Sequence, residues 1–307
     1  TASFLGRDYS QELNMAIPAP AGRSERELED LDSADLRQRV RDVYDKLAAE
    51  YDVVVMESMG HVAAGSCLGV SSAEVATTVG ARTLLVSGGG IGRALDEIAL
   101  CSTFLTARGA DLVGVVMNKV WREKYDRVKH AAGRGLDYFG LDSFGVVPFE
   151  DVLASPTVHQ VHGHVGGKLI AGEEYLENRV KHTIVAAMET ENMVRYIKQG
   201  TLVITPGDRS DNIHAALSAH MLEAKGPETV VGLILTGGIA PTGSVQRLIQ
   251  DARMPVILAR EDTYQVASTL RQTVFKITPE DRERIERAIG IMGEYVDVDR
   301  LLELMDS

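Results

Sequence analysis

The sequence predicts an α/β protein built as two domains, on three observations. Apolar runs of strand length alternate with longer stretches of helical periodicity through most of the 307 residues. Those runs are continuous rather than alternating, as in parallel strands covered on both faces by helices. A Gly- and His-rich stretch near the middle divides the alternation into two sets, and the length suits two domains of roughly 100–200 residues each.

Taken in order, residues 1–21 read as a loop punctuated by Gly6, Pro18 and Pro20. Lacking both a charged n-region and a long apolar h-region, that loop is no signal peptide. Ser33 can cap a helix that carries Leu36, Val40, Val43, Tyr44 and Leu47 at helical spacing. Residues 51–56 read as a buried strand ending at Glu57. Ser71 and Glu74 have capping-box spacing ahead of a short helix that stops near Gly80. A strand at 83–87, a helix at 91–108, a strand at 112–117, a helix at 122–139 and a strand at 144–147 complete a first domain over 1–150.

Residues 151–180 read as a join, with Pro156, several glycines, and His159, His162 and His164 among the eight histidines of the chain. The second domain, 181–278, has strand-like runs at 183–187, 202–205, 230–235, 255–258 and 274–277. Helices are expected between them at 191–199, 209–223, 244–251 and 263–271, and 279–307 reads as a helical tail closing the fold.

Composition narrows the function. With 44 acidic against 32 basic side chains the net charge is −12, which argues against a nucleic-acid track but not against one bound nucleotide. No stretch approaches ~20 uninterrupted apolar residues, so no membrane partner is expected. Two cysteines, Cys67 and Cys101, cannot form a disulfide scaffold; they read as small buried hydrophobes in a reducing, cytoplasmic compartment. A homo-oligomer is expected from the prevalence of closed symmetric assemblies.

Ligands of open α/β sheets sit beyond the carboxyl ends of the strands, so the residues at those points are the candidates. Glu57 could hold Mg²⁺ through a hard oxygen ligand, or stand as a solvated loop carboxylate. Gly88, Gly89 and Gly90 join a strand to a helix, where backbone N–H groups can approach a phosphate or simply form a tight turn. Asn118 offers a donor and an acceptor side by side, suited to a purine edge, and is also a common turn residue. In the second domain Asp208, Arg209 and Ser210 follow one strand, Thr236, Gly237 and Gly238 the next, and Asp262 the third. These could hold a ligand, with Arg209 as an anion fork, or Asp208, Ser210 and Asp262 could be helix caps. The three central histidines lack a zinc-like spacing, and no nucleophile–base arrangement stands out, so no catalytic residue is assigned.

The run 51–57, the strand at 83–87, the helix at 91–108 and the stretch Gly114-Val115-Val116-Met117-Asn118-Lys119 resemble the dethiobiotin synthetase-like P-loop domain. In that family it also stands at the amino end of long bacterial phosphate acetyltransferases. Residues 204–211 and 232–238 resemble the DRTGG domain that follows it there. The resemblance implies a P-loop NTPase-like parallel sheet followed by a smaller DRTGG-type α/β domain, binding ATP or a related nucleotide. Glu57 would take the Mg²⁺-associated position, Asn118 the base-reading one, Gly88–Gly90 the lining and Pro148 a place near the base.

Three departures accompany it. The phosphate loop G-x-x-x-x-G-K-[ST] is absent, Gly167-Lys168 being followed by Leu169. Glu57 is followed by Ser58 rather than Gly, and acetyl transfer to phosphate is not expected of these 307 residues. The first domain is therefore expected to lack its opening strand and P-loop, either because the chain is shortened or because a natural protein lost them. The leading expectation is a regulatory protein that senses a small-molecule nucleotide. The alternatives are an ATP-dependent synthetase or ligase of the dethiobiotin synthetase type, and an assembly module with vestigial pockets.

Overall fold

The computed structural model describes residues 32–58, 60–222, 229–279 and 281–306, so the loop expected over 1–21 lies outside the described residues. The chain divides into two compact units, one running to Phe149 and resuming at Pro279, the other Glu150–Thr278.

In the first unit α1 (Ser33–Glu50) is capped by Asp32, whose carboxylate accepts from the Ala34 amide at 2.9 Å. The cap thus sits one residue before the expected Ser33. Helix α2 (Ser72–Val79) has the expected capping box between Ser71 and Glu74 and ends at Gly80 in the left-handed region. Arg108 also pairs with Glu74. Burial pushes the Glu74 carboxyl up, but the Ser71 hydroxyl and amide and the Arg108 guanidinium together hold it below the ordinary value.

Strands β1 (Arg82–Gly88), β2 (Asp111–Val120) and β3 (Ser143–Pro148) form a parallel sheet in that order, with α3 (Gly92–Ala107) and α4 (Tyr125–Phe139) as crossovers. Both helices pack one face, where Ile98, Val128, Ala132 and Leu136 meet Val115, Met117 and Val146. The strand expected at 51–56 is not present among the described residues, and Val53 and Val55 are exposed there. A parallel strand needs a neighbour, and among the described residues β1, at the edge of the three-stranded sheet, pairs only with β2. No residue of β1 is fully buried.

The second unit holds a five-stranded sheet in the order β4-β8-β7-β6-β5. Its strands are β4 (Lys168–Ala171), β5 (His182–Val185), β6 (Thr201–Pro206), β7 (Val230–Thr236) and β8 (Val256–Leu258). β5 to β8 are parallel and β4 runs antiparallel to β8. Helices α5 (Asp151–Ala154) and α6 (Val158–Val165) precede β4. Between the parallel strands come α7 (Thr190–Val194), α8 (Ser210–Leu222) and α9 (Gly243–Asp251), and α10 (Thr263–Gln272) follows β8. Because each strand steps to the next in one direction, right-handed crossovers put α7, α8 and α9 on one face. Met193, Ile213, Leu217 and Ile249 pack there against Val203, Leu233 and Leu235. Val158 and Val161 of α6 and Val266 of α10 cover the other face.

Residues 151–180, read from sequence as a join, therefore contribute to this core through α6 and β4. No strand forms at 274–277: Val274 is exposed, and the place beside β8 is taken by β4. The helix expected over 191–199 is only the short α7.

The tail forms α11 (Arg282–Tyr295) and α12 (Val298–Asp306), which belong to the first unit. Val296 bridges to Gly145 of β3, and the Asp297 amide donates to the Phe144 carbonyl at 2.8 Å. Among the described residues no helix is long and apolar enough to cross a membrane. Cys67, expected to be buried, is exposed on a 3-10 turn where its neighbour Leu68 takes the buried position; both cysteines are free thiols.

Candidate functional site

At the carboxyl edge of the first sheet, Gly88 stands opposite Asn118 in the β1–β2 register, and Val120 opposite Pro148 in β2–β3. The turn after β1, Asn118 and Pro148 are thereby brought to one edge. β2 does not stop at Met117 as expected. It reaches Val120 by passing Lys119 through a φ of 61°, a left-handed conformation that is uncommon for a side-chain-bearing residue. The Lys119 amide donates to the Asn118 Oδ1 at 2.8 Å, which supports that turn. Gly89 lies against this kink: a β-carbon on it would stand 2.6 Å from Val120 Cγ2 and 2.7 Å from Val120 Cα. The first turn of α3 follows, and its N-cap Ile91 offers no side-chain acceptor to the free amides there.

A cavity of about 410 Å³ opens beside this edge, lined by Gly89, Gly90, Ile91, Val120, Trp121, Lys124, Arg127 and Val128. Trp121, Lys124 and Arg127 were not singled out from sequence. The indole is 55% exposed and packs on Phe149 with ring centroids 4.5 Å apart, tilted by 33°. Lys124 and Arg127 are exposed, and neither has an ion-pair partner among the described residues. The lining thus combines a π face, two cations and glycine backbone, with no carboxylate, hydroxyl or thiol. That set can hold an anion and stack a ring. The signal available in the sequence was the lone tryptophan set among Arg122, Lys124 and Arg127 directly after a strand.

Glu57 is exposed on the unpaired segment after residue 56 and does not line this cavity. Among the described residues no group of three or more His, Cys, Asp or Glu could hold a metal ion. Glu57 fits Mg²⁺ only in the mode where one carboxylate and a ligand's own phosphates share the ion. His162 and His164 lie on or beside α6 and bond backbone carbonyls, of Gly167 at 3.2 Å and Gln160 at 2.9 Å.

In the second unit the turns after β6, β7 and β8 are packed against one another. A β-carbon on Gly207 would overlap the Ile239 carbonyl oxygen. The Gly237 amide donates to Glu261 O at 2.8 Å and the Gly238 amide to Ala259 O at 2.9 Å, so both are already engaged. The Thr236 and Thr263 hydroxyls bond each other at 2.7 Å. Asp262 is the N-cap of α10, accepting from the Gln265 amide at 2.8 Å, the bland role its position allowed. Asp208 and Ser210 are exposed at the start of α8. Arg209 is half-buried and forks onto Asp211, its Nε and Nη2 donating to Oδ1 and Oδ2 at 2.9 and 2.8 Å. That hydrogen-bonded guanidinium holds the Asp211 carboxyl well below the usual carboxylate range, with the Asn212 and Asp211 amides assisting.

Comparison with known proteins matches residues 7–157 to the AAA domain and residues 160–273 to the DRTGG domain. A phosphate acetyltransferase of Nitratidesulfovibrio vulgaris is 29% identical over 277 residues, covering 87% of this chain and 39% of that protein. One from Pseudomonas aeruginosa is 28% identical over 321 residues, covering 97% of this chain and 45% of that protein. The chain thus spans less than half the length of these curated relatives. Among solved structures, the CBS and DRTGG domains of the regulatory region of Clostridium perfringens pyrophosphatase, complexed with the activator diadenosine tetraphosphate, are 16% identical. The TM-score is 0.33, over 62% of this chain and 73% of that one.

Proposed function

We propose that this chain, which carries a dethiobiotin synthetase-like AAA domain followed by a DRTGG domain, is a nucleotide-binding regulatory module. In this reading the first domain, 1–150, holds ATP or a related nucleotide, and the second, 181–278, responds to it. The observation that carries the reading is the cavity beside the Gly88–Gly90 turn, where Trp121 offers a ring to stack on and Lys124 and Arg127 offer cations to phosphates. Asn118 and Pro148 stand at the same sheet edge, outside the cavity lining. The lining offers no carboxylate and Glu57 lies outside it, so Mg²⁺, if carried in by the nucleotide, would be held by the nucleotide's own phosphate oxygens. The module works in the cytoplasm as a homo-oligomer.

Trp121 is the single tryptophan of the chain, so its fluorescence reports directly on this cavity. Titration with ATP or ADP is expected to give a saturable change in indole emission. Arg127→Ala should weaken it by about tenfold, the worth of one charge-assisted hydrogen bond. No change with either nucleotide, and no heat by calorimetry, would end this reading.

A further inference from the structure

We propose that the amino terminus of α8 in the second unit is a phosphate site, held closed in this state by the carboxylate of Asp211. This deepens the second-domain part of the reading above and does not rest on a nucleotide in the first unit.

Three observations carry it. The Asp211 carboxylate is gripped as a bound anion would be: the Arg209 fork takes both oxygens at 2.9 and 2.8 Å. The Thr190 hydroxyl stands 3.5 Å from the same carboxylate. A guanidinium fork together with consecutive amides at a helix start is the donor set that phosphate oxygens require.

The second observation is independent of that cluster. Thr205, the residue before the Pro206–Asp208 turn, is 0% exposed, and its hydroxyl has no hydrogen-bond partner among the described residues. Val203, two residues earlier on the same face of β6, packs against Ile213, Ala216 and Leu217 of α8. Strand alternation therefore directs the Thr205 hydroxyl toward α8, at the end of β6 where the helix begins. A buried hydroxyl without a partner is costly, and an anion seated at the helix start supplies the acceptor it lacks.

The third is rigidity beside a loose plug. Asn212 is 0% exposed, its Nδ2 donates to Ala186 O at 2.9 Å, and its Oδ1 accepts from the Thr190 hydroxyl at 3.4 Å, so the first turn of α8 is fixed in place. The Arg209 and Asp211 side chains, by contrast, are 36% and 51% exposed, and an exposed ion pair contributes little. Glu189 and Asp208 also act on Arg209 electrostatically. An incoming anion must therefore displace the Asp211 carboxylate from the fork, and a phosphate offers the fork more acceptor oxygens than a carboxylate does.

The test is calorimetric titration of the full chain with inorganic phosphate, and separately with ATP in the Arg127→Ala background. Asp211→Ala removes the plug and is expected to raise phosphate affinity about tenfold. Thr205→Val and Arg209→Lys, which keep volume and charge respectively, are expected to lower it in both the native and the Asp211→Ala chains. ATP competing with phosphate in the Arg127→Ala background identifies the ligand as a nucleotide phosphoryl group; phosphate binding without such competition identifies a free phosphate. Equal phosphate affinity in native and Asp211→Ala chains of matching urea midpoint would overturn the proposal. So would an Arg209→Lys chain that binds as tightly as native. Loss of the Trp121 response with the Asp211→Ala gain intact would overturn the first-unit reading alone.

Discussion

The two sheets have parallel strands of similar sequence and differ in what surrounds them. In the second unit all seven residues of β7 and five of the six in β6 are buried, because each strand has neighbours on both sides and helices on both faces. In the first unit β1 has none buried, and Val86 within it is 58% exposed. The apolar run after residue 50 fares likewise, with Val55 78% exposed. An apolar strand-like segment thus gains its hydrophobic stabilisation from its neighbours, and the same residue types contribute much in one sheet and little in the other.

The strongest way to break this contrast is Leu233→Ala, which empties a 0% exposed site in the centre of the second sheet. It should cost about 2–5 kcal/mol, read as an earlier urea transition by far-UV circular dichroism while the Trp121 transition of the first unit stays in place. An unshifted transition would mean that burial in this sheet stabilises less than the packing implies. Next comes Gly207→Ala, where the new methyl meets the Ile239 carbonyl; overpacking of this kind costs about 1–3 kcal/mol.

Ser71→Ala, removing the cap of α2, should cost about 1 kcal/mol at neutral pH. Its pH dependence has a definite sign. The Glu74 carboxyl is depressed in the folded state, so its contribution is fully present above the ordinary carboxylate range and is lost as pH falls through the folded value. The gap between Ser71→Ala and native should therefore shrink on acidification below about pH 4; a gap that widens would contradict the assignment. The smallest effect is expected for Val86→Lys on β1, within about 0.5 kcal/mol of native. A cost as large as that of Leu233→Ala would mean that the β1 edge is covered in solution.

The same contrast explains what could be read from sequence. The strands at 202–205 and 230–235 were legible because their apolar runs do have partners. The run at 51–56 looks alike, but pairing is non-local and no run of residues records whether a neighbour exists. At 274–277 the edge position went to β4, whose four residues sit among glycines and carry little strand signal. At the first site the turn residues Gly88–Gly90 and Asn118 were visible by type. Trp121, Lys124 and Arg127 were not, because the kink at Lys119 that carries the chain over the cavity is a backbone event with no residue signature. In the second unit the capping role of Asp262 was readable, whereas the capture of Arg209 by Asp211 depends on side-chain geometry two residues apart.

The return of α11 to β3 sets an order of events during synthesis. Because the first unit is completed only by residues from Pro279 onward, the ribosome must deliver the whole second unit before Val296 can bridge to Gly145. The second unit, contiguous over Glu150–Thr278, can fold first although it is encoded later than most of its companion. A cut at residue 150 would therefore not release an intact first domain, and the two halves of this chain cannot be exchanged like beads on a string.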